Sequence, residues 1–211
     1  MRTILSVLLT AFALSPVLAQ DAPSSTKWQA RLRAVVVAPD ASADIQAIAG
    51  DVDISTAVIP ELDFTYFFSE NIAAELILGT AKHDVKAVAT AAGDIDLGSV
   101  WLLPPTLTLQ YHFTGMEVKP YVGAGINYTI YYGIDEGPVA DAVQYDNSVG
   151  FALQGGLDYP LNDKWFLNLD VKKLFLSTDA TVFANTALGA VVGADVKINP
   201  WLIGLGVGMK F

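Results

Sequence analysis

The stretch Asn199-Pro200-Trp201-Leu202-Ile203-Gly204-Leu205-Gly206-Val207-Gly208-Met209-Lys210-Phe211 decides the fold. Taken at every second residue, Trp201, Ile203, Leu205, Val207, Met209 and Phe211 form one apolar row. Leu202, Gly204, Gly206, Gly208 and Lys210 form a slim row that ends in a charge. Strand side chains alternate between faces, so this is a strand with one greasy face and one narrow face. The greasy row is too continuous for a strand half exposed to water. It suits a strand with lipid on one side and a lumen on the other. The reading demands that the other strands repeat the alternation. It also demands a closed sheet, because lipid offers no partner to unpaired backbone N–H and C=O groups.

Composition points the same way. The 211 residues suit one domain and are 53% hydrophobic, with a mean hydropathy of +0.43. Past the first residues, no apolar run reaches the roughly 20 residues of a membrane helix. Cysteine is absent, which excludes a disulfide framework and a cysteine zinc site. A net charge of −10 argues against nucleic acid as a partner. Residues 1–19 read as a secretory signal: Arg2, an apolar core from Ile4 to Leu14, and Val17-Leu18-Ala19 as the cleavage site. The barrel domain is then 20–211, after a polar leader over Asp21–Thr26.

Seven further strands show the alternation. They run over Lys27–Ala38, Val58–Phe68, Ile72–Gly79, Val100–Phe113, Lys119–Tyr132, Ser148–Tyr159 and from Trp165 to about Leu176. Long connections at Asp40–Ala57, Ala81–Gly98, Gly133–Asn147 and Ser177–Asp195 alternate with short turns. The sequence therefore predicts an all-β fold, an eight-stranded antiparallel up-and-down transmembrane β-barrel. Aromatic residues end the apolar rows. Trp28, Phe68, Phe113, Tyr159, Trp165 and Phe211 fall at the short-turn end. Trp101, Tyr132, Phe175 and Trp201 fall at the long-loop end, as two interfacial girdles would. A soluble barrel such as a lipocalin would bury its apolar rows, whereas here the charged rows face in.

The inward charges are Arg31, Arg33, Lys172 and Lys210 against Glu61, Asp63, Glu75, Asp158 and Asp170. A lone buried charge costs several kcal/mol, so these are expected to pair into a charged floor that fills the lumen. Nearer the long loops the inward set becomes Val35, Val37, Leu102, Leu174, Leu176 and Leu202, an apolar vestibule above that floor. Pro104 and Pro105 interrupt the fourth strand, and each removes a ladder donor. They mark either a bulge that shapes the strand or a lateral exit for an apolar solute.

Catalytic chemistry has little to stand on, so the protein is not expected to be an enzyme. The histidines are His83, at the start of a loop, and His112, which faces in beside no evident inward serine. His83 with Asp84 falls short of the three or four ligands a metal needs, so no metal and no cofactor are expected. Gly123 and Gly125 sit inside a strand and make no dinucleotide loop. Asp40, Asp44, Asp51, Asp53, Asp135, Glu136, Asp141 and Asp146 fall in the long loops and read as a solvated, repulsive rim.

Three stretches carry a family likeness. Leu103-Pro104-Pro105-Thr106-Leu107-Thr108-Leu109-Gln110-Tyr111-His112-Phe113 resembles the fourth strand of the OmpW family of Gram-negative outer-membrane proteins. Pro120-Tyr121-Val122-Gly123-Ala124-Gly125-Ile126-Asn127-Tyr128-Thr129 resembles its fifth strand, and Asn199-Pro200-Trp201 with Gly204 to Phe211 resembles its closing strand. The likeness implies an outer-membrane barrel with a narrow, largely hydrophobic lumen that passes small hydrophobic molecules. The partners expected are outer-membrane lipid and lipopolysaccharide, a small hydrophobic solute, and the outer-membrane assembly machinery, which would read Phe211. The competing expectation is a structural or adhesive protein that acts through its acidic loops without transport.

Overall fold

The computed structural model describes residues 26–46, 49–91 and 93–211. The signal segment and most of the leader lie outside the described residues. Eight long stretches close into a barrel: β1 (Trp28–Ala38), β4 (Ala57–Phe67), β5 (Ile72–Gly79), β8 (Thr106–His112), β9 (Lys119–Glu136), β11 (Ser148–Pro160), β12 (Trp165–Phe175) and β15 (Trp201–Lys210). Each is antiparallel to the next, and β15 returns to β1 with Arg33 opposite Gly206 and Arg31 opposite Gly208. The barrel strands are thereby paired edge to edge along most of their length, as a lipid environment requires.

The outer wall is apolar. Leu32, Leu62, Leu76, Leu107, Leu109, Val122, Ile126, Phe151, Leu153 and Leu205 are all exposed. Aromatic pairs rim it at both ends. Trp28 and Tyr66 lie 4.9 Å apart and Tyr111 and Phe113 5.1 Å apart at the short-turn end. Trp101 stacks on Tyr132 at 6.2 Å at the other. From Trp201 to Phe211 the closing strand rises about 33 Å, or about 25 Å along the axis of a barrel tilted by roughly 40°. That matches the height of an outer-membrane apolar band.

The four long connections are not loops. They hold β2 (Ser42–Ile45), β3 (Asp51–Ile54), β6 (Ala81–Thr90), β7 (Gly93–Leu103), β10 (Ala142–Tyr145), β13 (Ser177–Ala184) and β14 (Ala190–Lys197), with the short α1 (Asn185–Leu188) before β14. These form the row β3–β6–β7–β9 and the row β10–β13–β14–β2 above the barrel. The acidic composition hid an alternation of period two. Asp51, Asp53, Lys82, Asp84 and Lys86 point out while Val52, His83, Val85 and Ala87 point in. All eight acidic residues named for the rim are exposed, Asp44, Asp51, Asp53, Asp135 and Glu136 on strands of these sheet walls and Asp40, Asp141 and Asp146 in the links between strands. Asp135 accepts from Lys82 Nζ at 2.8 Å, which draws its carboxyl below the usual range. Asp141 accepts from the Thr186 N–H at 2.9 Å at the start of α1, with the same effect.

The glycine row of β15 makes room for inward side chains. A Cβ on Gly206 would collide with the Leu32 carbonyl oxygen and stand 2.7 Å from Arg33 Cγ. Gly206→Val is expected to lower the unfolding free energy by about 1–3 kcal/mol in urea titrations of vesicle-embedded protein. Gly155→Ala is the matched control, since its Cβ would meet nothing closer than Tyr121 O at 3.8 Å.

Candidate functional site

The lumen is divided by a charged floor. Inward positions of β1, β4, β5, β11 and β12 carry Arg31, Arg33, Glu61, Asp63, Glu75, Asp158, Asp170 and Lys172, all buried. Arg31 reaches Asp63 and Glu75 at 3.2 Å and Asp158 at 3.1 Å. It donates to Thr65 at 2.6 Å and to Gln29 at 3.0 Å. Arg33 contacts Glu61 at 3.0 Å, Asp63 at 2.6 Å, Glu75 at 3.2 Å and Asp170 at 3.4 Å. Its contacts to Glu61 and Asp63 are ion pairs without hydrogen-bond alignment. Lys172 joins Glu61 at 2.8 Å to Asp170 at 2.7 Å. Gln154 donates to Glu75 and Asp170, Tyr121 to Asp170, and Gln110 to Glu75. Burial makes each ion costly, and only this density of partners offsets the cost. The network runs across the lumen between β1, β4, β5, β11 and β12.

Above the floor the lumen is apolar. A space rests on Glu61 and Lys172 and is walled by Val37, Ile77, Leu102, Leu174, Leu176 and Leu202. A second space lies higher, between the sheet walls, lined by Val52, Val85, Ile95, Tyr131, Ala180 and Val196. His83, Leu102 and Ile198 border both, so the two apolar spaces lie one above the other and share part of their lining. A lining this apolar, with a few polar groups at its base, suits an apolar organic ligand better than an ion.

The wall of the lower space is interrupted at one place. Ile77 pairs with Thr106 and Ala81 with Leu102, in one continuous register. Between them Leu78, Gly79 and Thr80 form no ladder pairs with Leu103, Pro104 and Pro105. On the other side, β4 pairs with β5 only up to Glu61–Gly79, and Ala57–Pro60 pair with β1 alone. Thr80 thus lacks a ladder partner on both sides. Its hydroxyl instead donates to Leu102 O at 3.0 Å and lies 2.6 Å from Tyr132 Oη. Three prolines, Pro60, Pro104 and Pro105, flank this window, and proline cannot donate to a ladder. Gly79, Ala81 and Pro104 also line the lower space, so the cavity reaches the window.

The OmpW family model matches residues 25–211. The chain belongs to the OmpW family. It is 45% identical to an uncharacterized outer-membrane protein, y4mB, of Sinorhizobium fredii, over 96% of this chain and 88% of that one. It is 30% identical to the dibenzothiophene metabolism operon protein PahQ of Pseudomonas aeruginosa, over 100% and 99% of the two chains. The crystal structure of the outer membrane protein OprG from Pseudomonas aeruginosa superposes with a TM-score of 0.81 at 28% identity, covering 89% and 96% of the two chains. As an OmpW-family barrel the protein resides in the outer membrane. Its sheet walls then face the exterior and its short turns the periplasm.

Within this OmpW-family barrel the six vestibule residues expected from sequence, Val35, Val37, Leu102, Leu174, Leu176 and Leu202, pack in one apolar cluster with Val52, Val85 and Ile198. Eight of the nine expected floor residues meet in the ion-pair network. Lys210 does not join it. The Phe166 ring separates them, with Arg31 5.4 Å above it and Lys210 Nζ 5.8 Å from it on the mouth side. Lys210 instead lines a small periplasmic recess with His112, Lys119 and Asp158. His112 stacks on Tyr121 at 4.9 Å with Gln110 Oε1 2.9 Å from its Nε2. His83 lies inside β6, not in a loop, with its Nδ1 2.6 Å from the backbone oxygen of Ser55. The Ser55 hydroxyl accepts from the Asp84 N–H. Among the described residues no three metal-ligating side chains cluster. Gln110, Tyr121, Gln154 and Asn168 also serve the floor, though they are not among the charged residues expected there. Their signal was a polar residue on a row facing away from lipid. Pro60 was passed over because a lone proline near a strand's start is unremarkable.

Proposed function

We propose that the protein is a non-catalytic conduit for small apolar molecules. A solute leaves the exterior for the apolar vestibule, settles above the charged floor, and passes sideways through the window at Gly79, Thr80 and Pro104 into the membrane. The observation that carries this reading is the continuity of one apolar cavity with a gap in the wall, directly above a lumen crossed by ion pairs. An ion or sugar would gain nothing from such a lining, and an apolar molecule avoids the floor altogether. The name of PahQ, tied to metabolism of an apolar aromatic compound, supports the solute class. Lipid at the window is the receiving partner. Lipopolysaccharide around the outer rim and the assembly machinery that would read Phe211 complete the expected partners.

Replacing Pro104 and Pro105 by Val and Thr restores one donor toward β5 at position 104 and one toward β9 at position 105, and lets the ladder zip across the gap. Uptake of an apolar dye into proteoliposomes is expected to fall roughly tenfold, which corresponds to a barrier raised by about 1.4 kcal/mol. Gel mobility of the folded barrel serves as the folding check. Unchanged uptake in a folded variant defeats the sideways route.

A further inference from the structure

The lower cavity is mainly apolar, and one corner of it holds polar groups without partners. Thr129 on β9 lines it and is fully buried, and its Oγ1 has no hydrogen-bond partner. Asn127, one inward position nearer the floor on the same strand, is 2% exposed, and neither its Oδ1 nor its Nδ2 is partnered. Lys172 lines the same cavity. Glu61 and Asp170 take two of its N–H groups, at 2.8 and 2.7 Å, and an ammonium has three. Thr106 also lines the space, but its hydroxyl is committed to Pro104 O at 2.9 Å. His83 and Glu61 line the same space, but His83 Nδ1 lies 2.6 Å from Ser55 O and Glu61 is held by Arg33 and Lys172.

Buried donors and acceptors left empty cost more than an ordinary hydrogen bond gains. A pure hydrocarbon in the cavity would leave them empty. A carboxylate head meets a floor where five carboxylates already face three cations. An ammonium head meets the Lys172 ammonium. An uncharged oxygen avoids both conflicts. It can exchange hydrogen bonds with Thr129 Oγ1 and the Asn127 amide, one inward position below, or accept from Lys172 Nζ on the floor of the same cavity.

Resting on the conduit reading, we infer that this corner selects uncharged amphiphiles, an apolar body ending in a hydroxyl or carbonyl. The oxygen docks at Thr129 and Asn127, or at Lys172, and the apolar body extends up into the vestibule. The site thereby separates partly oxidised apolar molecules from the parent hydrocarbon, and it also places the solute beside the window, since Thr129 sits where Pro104 breaks the ladder.

The test is NMR of the full barrel in lipid nanodiscs, titrated with 1-octanol, 2-octanone, n-octane, octanoate and octylamine, with affinities corrected for partition into lipid. Octanol and octanone are expected to shift the Thr129 methyl and the Asn127 side-chain amide, and to bind more tightly than octane. In Asn127→Leu/Thr129→Val the preference for octanol over octane is expected to fall about tenfold, the worth of one to two net hydrogen bonds. Should that variant fail to fold, the wild-type resonances decide alone. Equal affinity for octanol and octane, tightest binding of octanoate or octylamine, or a preference unchanged in the variant overturns the inference while leaving a conduit intact. Absence of vestibule shifts with every probe overturns both.

Discussion

Arg33→Met is expected to lower the unfolding free energy of the barrel by about 3–5 kcal/mol. Arg33 stands within 3.4 Å of Glu61, Asp63, Glu75 and Asp170. Methionine fills most of the same volume, so the loss is electrostatic and not a packing defect. It leaves those carboxylates to Arg31 and Lys172 alone, in a lumen with little water to take over. Adding Asp63→Asn removes one of the abandoned charges and should restore part of the loss, because contacting residues are not additive. Urea unfolding in lipid vesicles reads both. A loss under about 1 kcal/mol would be the behaviour of a solvated ion pair and would mean that water fills the floor.

Leu102→Asp is expected to cut uptake of apolar solutes about a hundredfold. Leu102 borders both the upper and the lower cavity, so every solute on the proposed route passes it. A carboxylate there draws water into the vestibule and loses that water whenever an apolar molecule arrives. Desolvating it costs at least about 2–3 kcal/mol, close to two orders of magnitude in rate. Asp44→Asn, on the outer face of β2, is the contrasting change and should leave uptake as it is. Proteoliposome uptake of an apolar dye measures both. Equal uptake by wild type and Leu102→Asp would place the solute path outside the lumen.

The barrel itself was legible because lipid imposes a strict period of two. Leu205, Val207 and their counterparts must face out, and Arg31, Asp63 and Asp170 must then face in. The ion-pair floor followed from the same parity, since buried charges have to find each other. Height was harder to read. Lys210 has inward parity but lies below Phe166, and parity carries no information about position along the axis. The sheet walls above the barrel were missed for a different reason. Asp51-Val52-Asp53-Ile54 alternates as cleanly as any barrel strand, but its charges suggest a solvated loop when read as composition. The window needed three-dimensional register. Pro104 and Pro105 announce an interruption, yet only the pairing of Gly79 with Glu61 on one side and its lack of a partner on the other reveals a gap around Thr80.

The sideways route can be opened and closed reversibly. Gly79 and Pro104 lie opposite one another across the unpaired segment, both line the lower cavity, and the chain has no cysteine of its own. In Gly79→Cys/Pro104→Cys a single disulfide would staple the window shut. Uptake of an apolar dye by proteoliposomes, with ion conductance recorded on the same preparation, is the decisive measurement. Uptake should fall at least tenfold on oxidation and return with reductant, with negligible ion current in both states. Equal uptake in the oxidised and reduced barrel, or an ion current that rises and falls with uptake, would contradict the account.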